Sequence, residues 1–292
     1  MAYARIIVLT SLAMMAFAGN SLLCRAALAQ GHIDEASFTA LRLASGALML
    51  WFLVRLRRGP HTGGGNWLSA GALFAYAAGF SFAYMSLPAA TGALLLFGAV
   101  QVTMIGQGLW AGERLGIGQL VGLALALGGV VGLLLPGLTA PPLYGSVLML
   151  GAGVAWGIYS LRGRGAGDPL TVTAGNFLRA VPIAAIASIV MWRHAALDSA
   201  GFWYAVASGA LASGVGYALW YAVLPALKVT QASIVQLSVP IIAAFGGIVF
   251  LGEAITVRFF MAAIAILGGI ALVLFMRKPA NRARPVKFVA RK

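Results

Sequence analysis

The chain has 292 residues, of which 61% are hydrophobic and only 9% charged, and its mean hydropathy is +0.95. A water-soluble domain of this size needs far more polar surface, so lipid is the solvent for most side chains. The formal net charge of +14 does not mark a nucleic-acid binder, because seven basic residues (Arg277, Lys278, Arg282, Arg284, Lys287, Arg291 and Lys292) gather in a C-terminal tail suited to anionic headgroups.

In lipid every backbone N–H and C=O must be satisfied internally, and the apolar runs are continuous rather than alternating, which selects helices over a barrel. Ten stretches approach the about 20 residues a span requires. They cover 6–28, 36–56, 66–87, 89–111, 116–135, 143–161, 169–192, 201–224, 231–251 and 256–276. Arg5, an apolar run and Ala16-Phe17-Ala18 imitate a secretory signal, but the run continues to Leu28 and reads as a first span. The loop at 57–65 is glycine-rich, and Pro136 to Pro142 separates the fifth and sixth spans. Cys24 is the only cysteine, which excludes an intrachain disulfide.

With the N-terminus inside, the inner segments hold Arg5, Arg55, Arg57, Arg58, Arg114, Arg162, Arg164, Lys228 and the tail, while the outer ones hold only Arg193 and Arg258. This asymmetry predicts both termini in the cytoplasm of a bacterial inner-membrane protein.

The halves repeat. Arg25 and Arg162, Leu41-Arg42 and Leu178-Arg179, Phe80 and Tyr217, Tyr84 and Tyr221, and Pro88 and Pro225 all stand 137 residues apart. After a three-residue shift, Gly112-Glu113 matches Gly252-Glu253 and Gly128-Gly129 matches Gly268-Gly269. The expected organisation is a first repeat at 1–138, a second at 139–276 and a tail at 277–292. Five spans per half, an odd number, invert the second relative to the first, as alternating access requires.

A half ending in a helix, Gly-Glu, a short link and a Gly-Gly helix resembles the EamA domain of the drug/metabolite transporter superfamily. The matching stretches are Gly112-Glu113-Arg114-Leu115 through Gly128-Gly129, and Ser238-Val239-Pro240 through Gly252-Glu253 to Gly268-Gly269. Within the superfamily the chain is most similar to YddG-type exporters of aromatic and other neutral amino acids. The resemblance implies an all-α membrane protein of ten helices, a cavity between the halves and export of small metabolites. Gln101 departs from the pattern, lying near where the family often has the proline seen here as Pro240.

Polar side chains within spans need a reason, either helix–helix hydrogen bonding or substrate contact. Asn20 and Gln101 lie near mid-span, and Asn176 and Gln236 further inward. Tyr76, Phe80 and Tyr84 share one helix face at i, i+4, i+8; Tyr217, Trp220 and Tyr221 share another, and Trp156 adds a ring. These are the candidate substrate contacts. Arg42, Arg179, Pro88, Pro225, Glu113 and Glu253 read as structural repeat residues, the arginines within snorkelling reach of the surface and the glutamates paired with Arg114 or Arg258. No arginine is expected deep enough to favour an anionic substrate.

Small-xxx-small pairs at Gly118/Gly122, Gly128/Gly132 and Ala265/Gly269 read as packing within a monomer. No catalytic set, metal site, cofactor or nucleic-acid partner is expected; the partners are the bilayer and a small substrate such as a neutral or aromatic amino acid. Alternatives are a carrier, in either direction, of another small metabolite or drug-like compound, and, more remotely, a membrane enzyme or a channel. A reporter active only in the cytoplasm, fused after Lys292, should give signal; activity there of a periplasm-only reporter instead would reverse the orientation.

Overall fold

Hydrocarbon leaves no water for a stray backbone donor, and the chain answers with helix along almost its whole length. The computed structural model describes residues 3–57, 62–110, 112, 114–163, 166–227 and 229–276. Glu113, the basic tail, and Arg58, Arg164 and Lys228 of the charge pattern lie outside the described residues.

The helices are α1 (Tyr3–Ala29), α2 (Glu35–Leu56), α3 (Trp67–Tyr84), α4 (Ala89–Trp110), α5 (Ile117–Leu134), α6 (Leu143–Gly163) and α7 (Pro169–Val190). Then follow α8 (Ser199–Val206), α9 (Gly216–Val223), α10 (Val229–Gln236), α11 (Ser238–Leu251) and α12 (Val257–Phe275). α8 and α9 are joined by a wider π-helical segment, Ala207–Val215, into an eighth span, and α10 and α11 form a ninth. Nine of the described stretches are long and apolar enough to cross a membrane. α3 adds a tenth helical stretch, which turns Ser69, Tyr76, Ser81 and Tyr84 into the interior.

Helix starts are set by side chains that accept otherwise orphaned amides. Asp34 caps α2, Asn66 α3, Asp168 α7, Asp198 α8 and Thr256 α12. The ninth span departs from the unbroken helix expected over 231–251. Pro240 has no N–H for the carbonyl of Gln236 and its ring crowds that carbonyl, and the helix divides at Leu237. Gly252 closes α11 in the left-handed region at φ +65, where a Cβ would be strained.

Tyr3 and Phe275 lie at one end of the bundle, here the terminal end; Ala29, Tyr84, Leu134, Val190 and Leu251 reach the opposite, far end. α2 packs on α7 and α5 on α12; α3 and α4 pack on α6, while the eighth span and α11 pack on α1. Exchanging the first five spans for the last five leaves this pattern unchanged. Outward faces carry Leu48, Trp51, Phe52, Ile189, Phe245, Phe250 and Phe260, a surface suited to acyl chains.

The α5–α12 seam is a backbone contact. A Cβ on Gly122 would stand 2.6 Å from the carbonyl of Gly269, and one on Gly269 2.4 Å from that of Gly122. Gly128 and Gly132 instead meet nothing within 4 Å. Gly269→Leu should therefore destabilise the protein by about 1–3 kcal/mol, as overpacking does, with Gly128→Leu within about 0.5 kcal/mol of the parent. Thermal unfolding in detergent checks this; equal effects of the two would remove the seam as the cause.

Candidate functional site

Where α1, α2, α3 and the π segment converge, four polar side chains form one string. Ser208 donates to Asn20 Oδ1 at 2.6 Å, Asn20 Nδ2 donates to the Tyr76 phenol oxygen at 3.4 Å, and Arg42 Nη2 donates to the same oxygen at 2.8 Å. All four residues are buried. Arg42 stands seven residues into α2, roughly 10 Å below the far end at 1.5 Å per residue.

The π segment creates this junction. The hydroxyl of Ser213 donates to the carbonyl of Ser208, five residues back, at 2.9 Å. Gly209 brings the segment against α2 so closely that a Cβ there would meet the carbonyl of Arg42 at 2.1 Å. The wider turn thus aims Ser208 at Asn20. Such segments recur at functional sites.

Rings wall the string. Tyr76 packs on Phe80 at 5.5 Å and on Trp156 at 4.6 Å; Trp156 stacks on Tyr217 at 5.4 Å, and Tyr217 on Tyr221 at 6.0 Å. Phe17 reaches both Tyr217 and Trp220, and Phe177 meets Tyr217 edge-on. The two aromatic faces expected from α3 and the eighth span do meet, with Trp156 between them.

The remaining candidates are placed elsewhere. Tyr84 lies edge-on to Phe80, hydrogen-bonds the carbonyl of Ala89 at 3.2 Å and fills the space above Gly92, a packing role at the far end. Asn176 accepts from the amide of Asn66 at 2.9 Å and donates to the Tyr159 phenol at 3.4 Å. It belongs to a second string, Tyr159–Thr173–Tyr221, nearer the terminal end. Gln101 is buried further along α4, and Gln236 is half-buried where α10 ends; neither belongs to the first string.

Two expectations need correcting. Arg42 does not snorkel: it is 2% exposed, and its guanidinium lies 4.7 Å over Phe80 and 5.2 Å over Tyr76. Glu253 pairs not with Arg258 but with Arg25, at 3.2 Å, and also accepts from the amide of Ala89 at 2.8 Å. Arg25 in turn donates to the carbonyls of Tyr84 and Met85, so α1, α3, α4 and α11 are tied together at the far end. The reach of Arg258 goes to the carbonyl of Leu135 instead. Arg179 bonds the carbonyls of Gly64 and Gly175. Pro88 stands just before α4, and Pro225 in a short 3₁₀ turn after α9.

Each end of the bundle carries further ties. At the far end Ile33 and Leu197 form an antiparallel bridge, and His32 Nδ1 lies 2.7 Å from Asp198. The Gly201 amide, followed by His32, holds the Asp198 carboxyl below its ordinary range. At the terminal end Arg57 meets Asp168 at 2.8 Å, and Arg162 donates to Ser69 and Asn66. Burial pushes the Asp168 carboxyl up, but the Thr171 hydroxyl and amide together with Arg57 outweigh it, and the group stays low. A hollow of about 230 Å³ at the far end is lined by Ser86, Thr91, Glu253 and Phe259 among others; a wider groove between α5 and α12 faces outward. Neither opens onto the Arg42 string.

Sequence reasoning missed Ser208, Phe17, Phe177 and the role of Arg25. Ser208 sits in the run ASGALASG, where its composition alone suggests close packing.

Ten helical stretches with exchange-symmetric packing around a buried polar string define a polytopic membrane protein of the inverted-repeat helical class. A family model described as "EamA-like transporter family" matches residues 143–275. The Pseudomonas aeruginosa protein PA1977, described as uncharacterized, is 60% identical over 94% of this chain and 96% of its own length. The threonine/homoserine exporters RhtA of Escherichia coli K12 and Salmonella typhimurium LT2 are 36% and 33% identical, in each case over 39% of this chain and 39% of theirs. A crystal structure covering 96% of this chain and 99% of its own superposes with a TM-score of 0.62 at 20% identity, which is likeness of fold. Residues 143–275 thus form an EamA-like domain, and together with the RhtA similarity this supports membership of the drug/metabolite transporter superfamily.

Proposed function

We propose that this protein is an alternating-access exporter of neutral amino acids in the bacterial inner membrane, with both termini cytoplasmic. Its halves, 1–138 and 139–276, rock about a pseudo-two-fold axis in the membrane plane. The observation that carries the reading is the string Ser208–Asn20–Tyr76, buried within the spans and walled by rings. Amide and hydroxyl groups donate and accept alike, so they suit a zwitterion, which brings both kinds of partner.

Two substrate readings have separate support. The similarity to the RhtA proteins favours small hydroxylated amino acids of the threonine and homoserine kind. The continuous ring wall from Tyr76 through Trp156 to Tyr217 favours aromatic ones, as does the YddG-type resemblance of the motifs. Among the described residues every acidic side chain lies at a helix end or in a loop. A carboxylate exchanging protons mid-membrane is therefore no part of this reading, and export runs down the substrate's own gradient.

Proteoliposomes containing the purified protein and loaded with threonine or phenylalanine should release both without a pH gradient, and an ionophore should not stop the release. Tyr217→Ala, present in normal amount, should slow phenylalanine more than threonine, because only a ring loses the about 0.5–1.5 kcal/mol of ring–ring contact. Flux that requires an imposed proton gradient would overturn the downhill mechanism; no flux of any amino acid would overturn the function.

A further inference from the structure

We propose that Arg42 is the carboxylate-binding residue of this transporter, and that the carboxyl group of the substrate is its missing counter-ion. The inference rests on the amino-acid reading of the site and adds to it a charged anchor, where the polar string alone offers only neutral groups.

Arg42 is 2% exposed, yet its Nε and Nη1 have no hydrogen-bond partner. Of the buried side-chain atoms among the described residues, only these two and the hydroxyl of Thr10 are left in this way. Five of the six acidic residues in the sequence, Asp34, Glu35, Asp168, Asp198 and Glu253, are described, and none forms an ion pair with Arg42. The sixth, Glu113, lies outside the described residues. Among the described residues, then, Arg42 is a buried permanent cation without an anion for it.

A guanidinium is too weak an acid to escape that cost by shedding its proton. Burial of an unpaired charge is strongly unfavourable, and rings compensate only part of it. The faces of Phe80 and Tyr76 and the phenol of Tyr76 hold the side chain in place while leaving Nε and Nη1 unused. A packing role needs no such arrangement. Arg179, the repeat counterpart, is half-buried and spends its Nη1 on two backbone carbonyls, as a structural arginine does.

The neighbours fix the ligand class. Along the string Asn20 follows Tyr76 and Ser208 follows Asn20, while Trp156 and then Tyr217 extend from Tyr76 through ring contacts. An anion on Arg42 therefore has neutral acceptors and ring faces close by for an ammonium group. A monocarboxylate with an adjacent amine fits; a simple amine has nothing to gain from the cation and is repelled by it.

The test compares each acid with its amide. Purified full-length protein in detergent is titrated with L-threonine, L-threoninamide, L-phenylalanine and L-phenylalaninamide at about pH 6, where the amines are protonated, and affinities are read from thermal stabilisation. The parent protein should bind each acid about 10- to 100-fold more tightly than its amide, the range of a charge-assisted hydrogen bond. Arg42→Gln should bring that ratio close to one. Arg42→Lys, which keeps the charge and guards against loss of folding in the glutamine variant, should keep part of it. Equal binding of acid and amide by the parent, with amino-acid flux intact in proteoliposomes, would overturn the role of Arg42 and leave the transporter reading standing. So would an undiminished ratio in Arg42→Gln. A parent that neither binds nor moves any of these amino acids would overturn both.

Discussion

The guanidinium of Arg42 gives one hydrogen bond, to the phenol of Tyr76, and is otherwise enclosed by rings and helix. Its setting follows from the constraint that orders the whole molecule: in hydrocarbon, a polar group left without a partner costs several kcal/mol. Elsewhere among the described residues the chain obeys, the hydroxyl of Thr10 apart. Acidic and amide caps take up the amides at helix starts, and Glu253 gathers Arg25 and the Ala89 amide. Asn20 is satisfied on both sides, by Ser208 and Tyr76. Against that background the unpaired buried guanidinium of Arg42 is what points to the proposed site, since neither the far-end hollow nor the α5–α12 groove reaches it.

The scaffold is symmetric and its chemistry is not. The packing partners survive exchange of the halves, yet residues at equivalent places differ in kind. Tyr76 corresponds to Ser213, Asn20 to Gly157, and Ser208 to Gly71. Arg42 is sealed inside, while Arg179 binds a loop carbonyl. α4 runs unbroken where its counterpart divides at Leu237. An inverted duplication supplies two related closures, one at each end, and divergence within it leaves room for a single asymmetric site between them. The far end is tied by Arg25–Glu253 and the Ile33–Leu197 bridge, the terminal end by Arg57–Asp168 and Arg162. These are contacts on which opening would act.

Spans were legible in the sequence because hydropathy over about 20 residues is a bulk property and the lipid enforces it. The observed ends agree with the expected ones to within about three residues, inside the usual uncertainty of helix boundaries. The approach of the aromatic faces of α3 and the eighth span, joined through Trp156, followed from helical spacing and the repeat. Depth and direction were not legible. Arg42, two turns into α2, is within reach of the surface by count, and only tertiary packing decides that it turns toward Tyr76 instead. The π segment was hidden for a related reason: Gly209, Ser213 and Gly214 permit either helix, and the contact with α2 selects one. The partner of Glu253 lies 228 residues away on α1, beyond any local spacing rule.

A structure of the protein with a bound amino acid, such as threonine or phenylalanine, tests the central claim most directly. The account predicts the ligand carboxylate within about 4 Å of the Arg42 guanidinium, the usual reach of an ion pair, with its ammonium toward Asn20 or the Tyr76–Trp156 rings. A ligand seated elsewhere, for instance in the far-end hollow beside Glu253, with Arg42 still enclosed and unpaired, would contradict it.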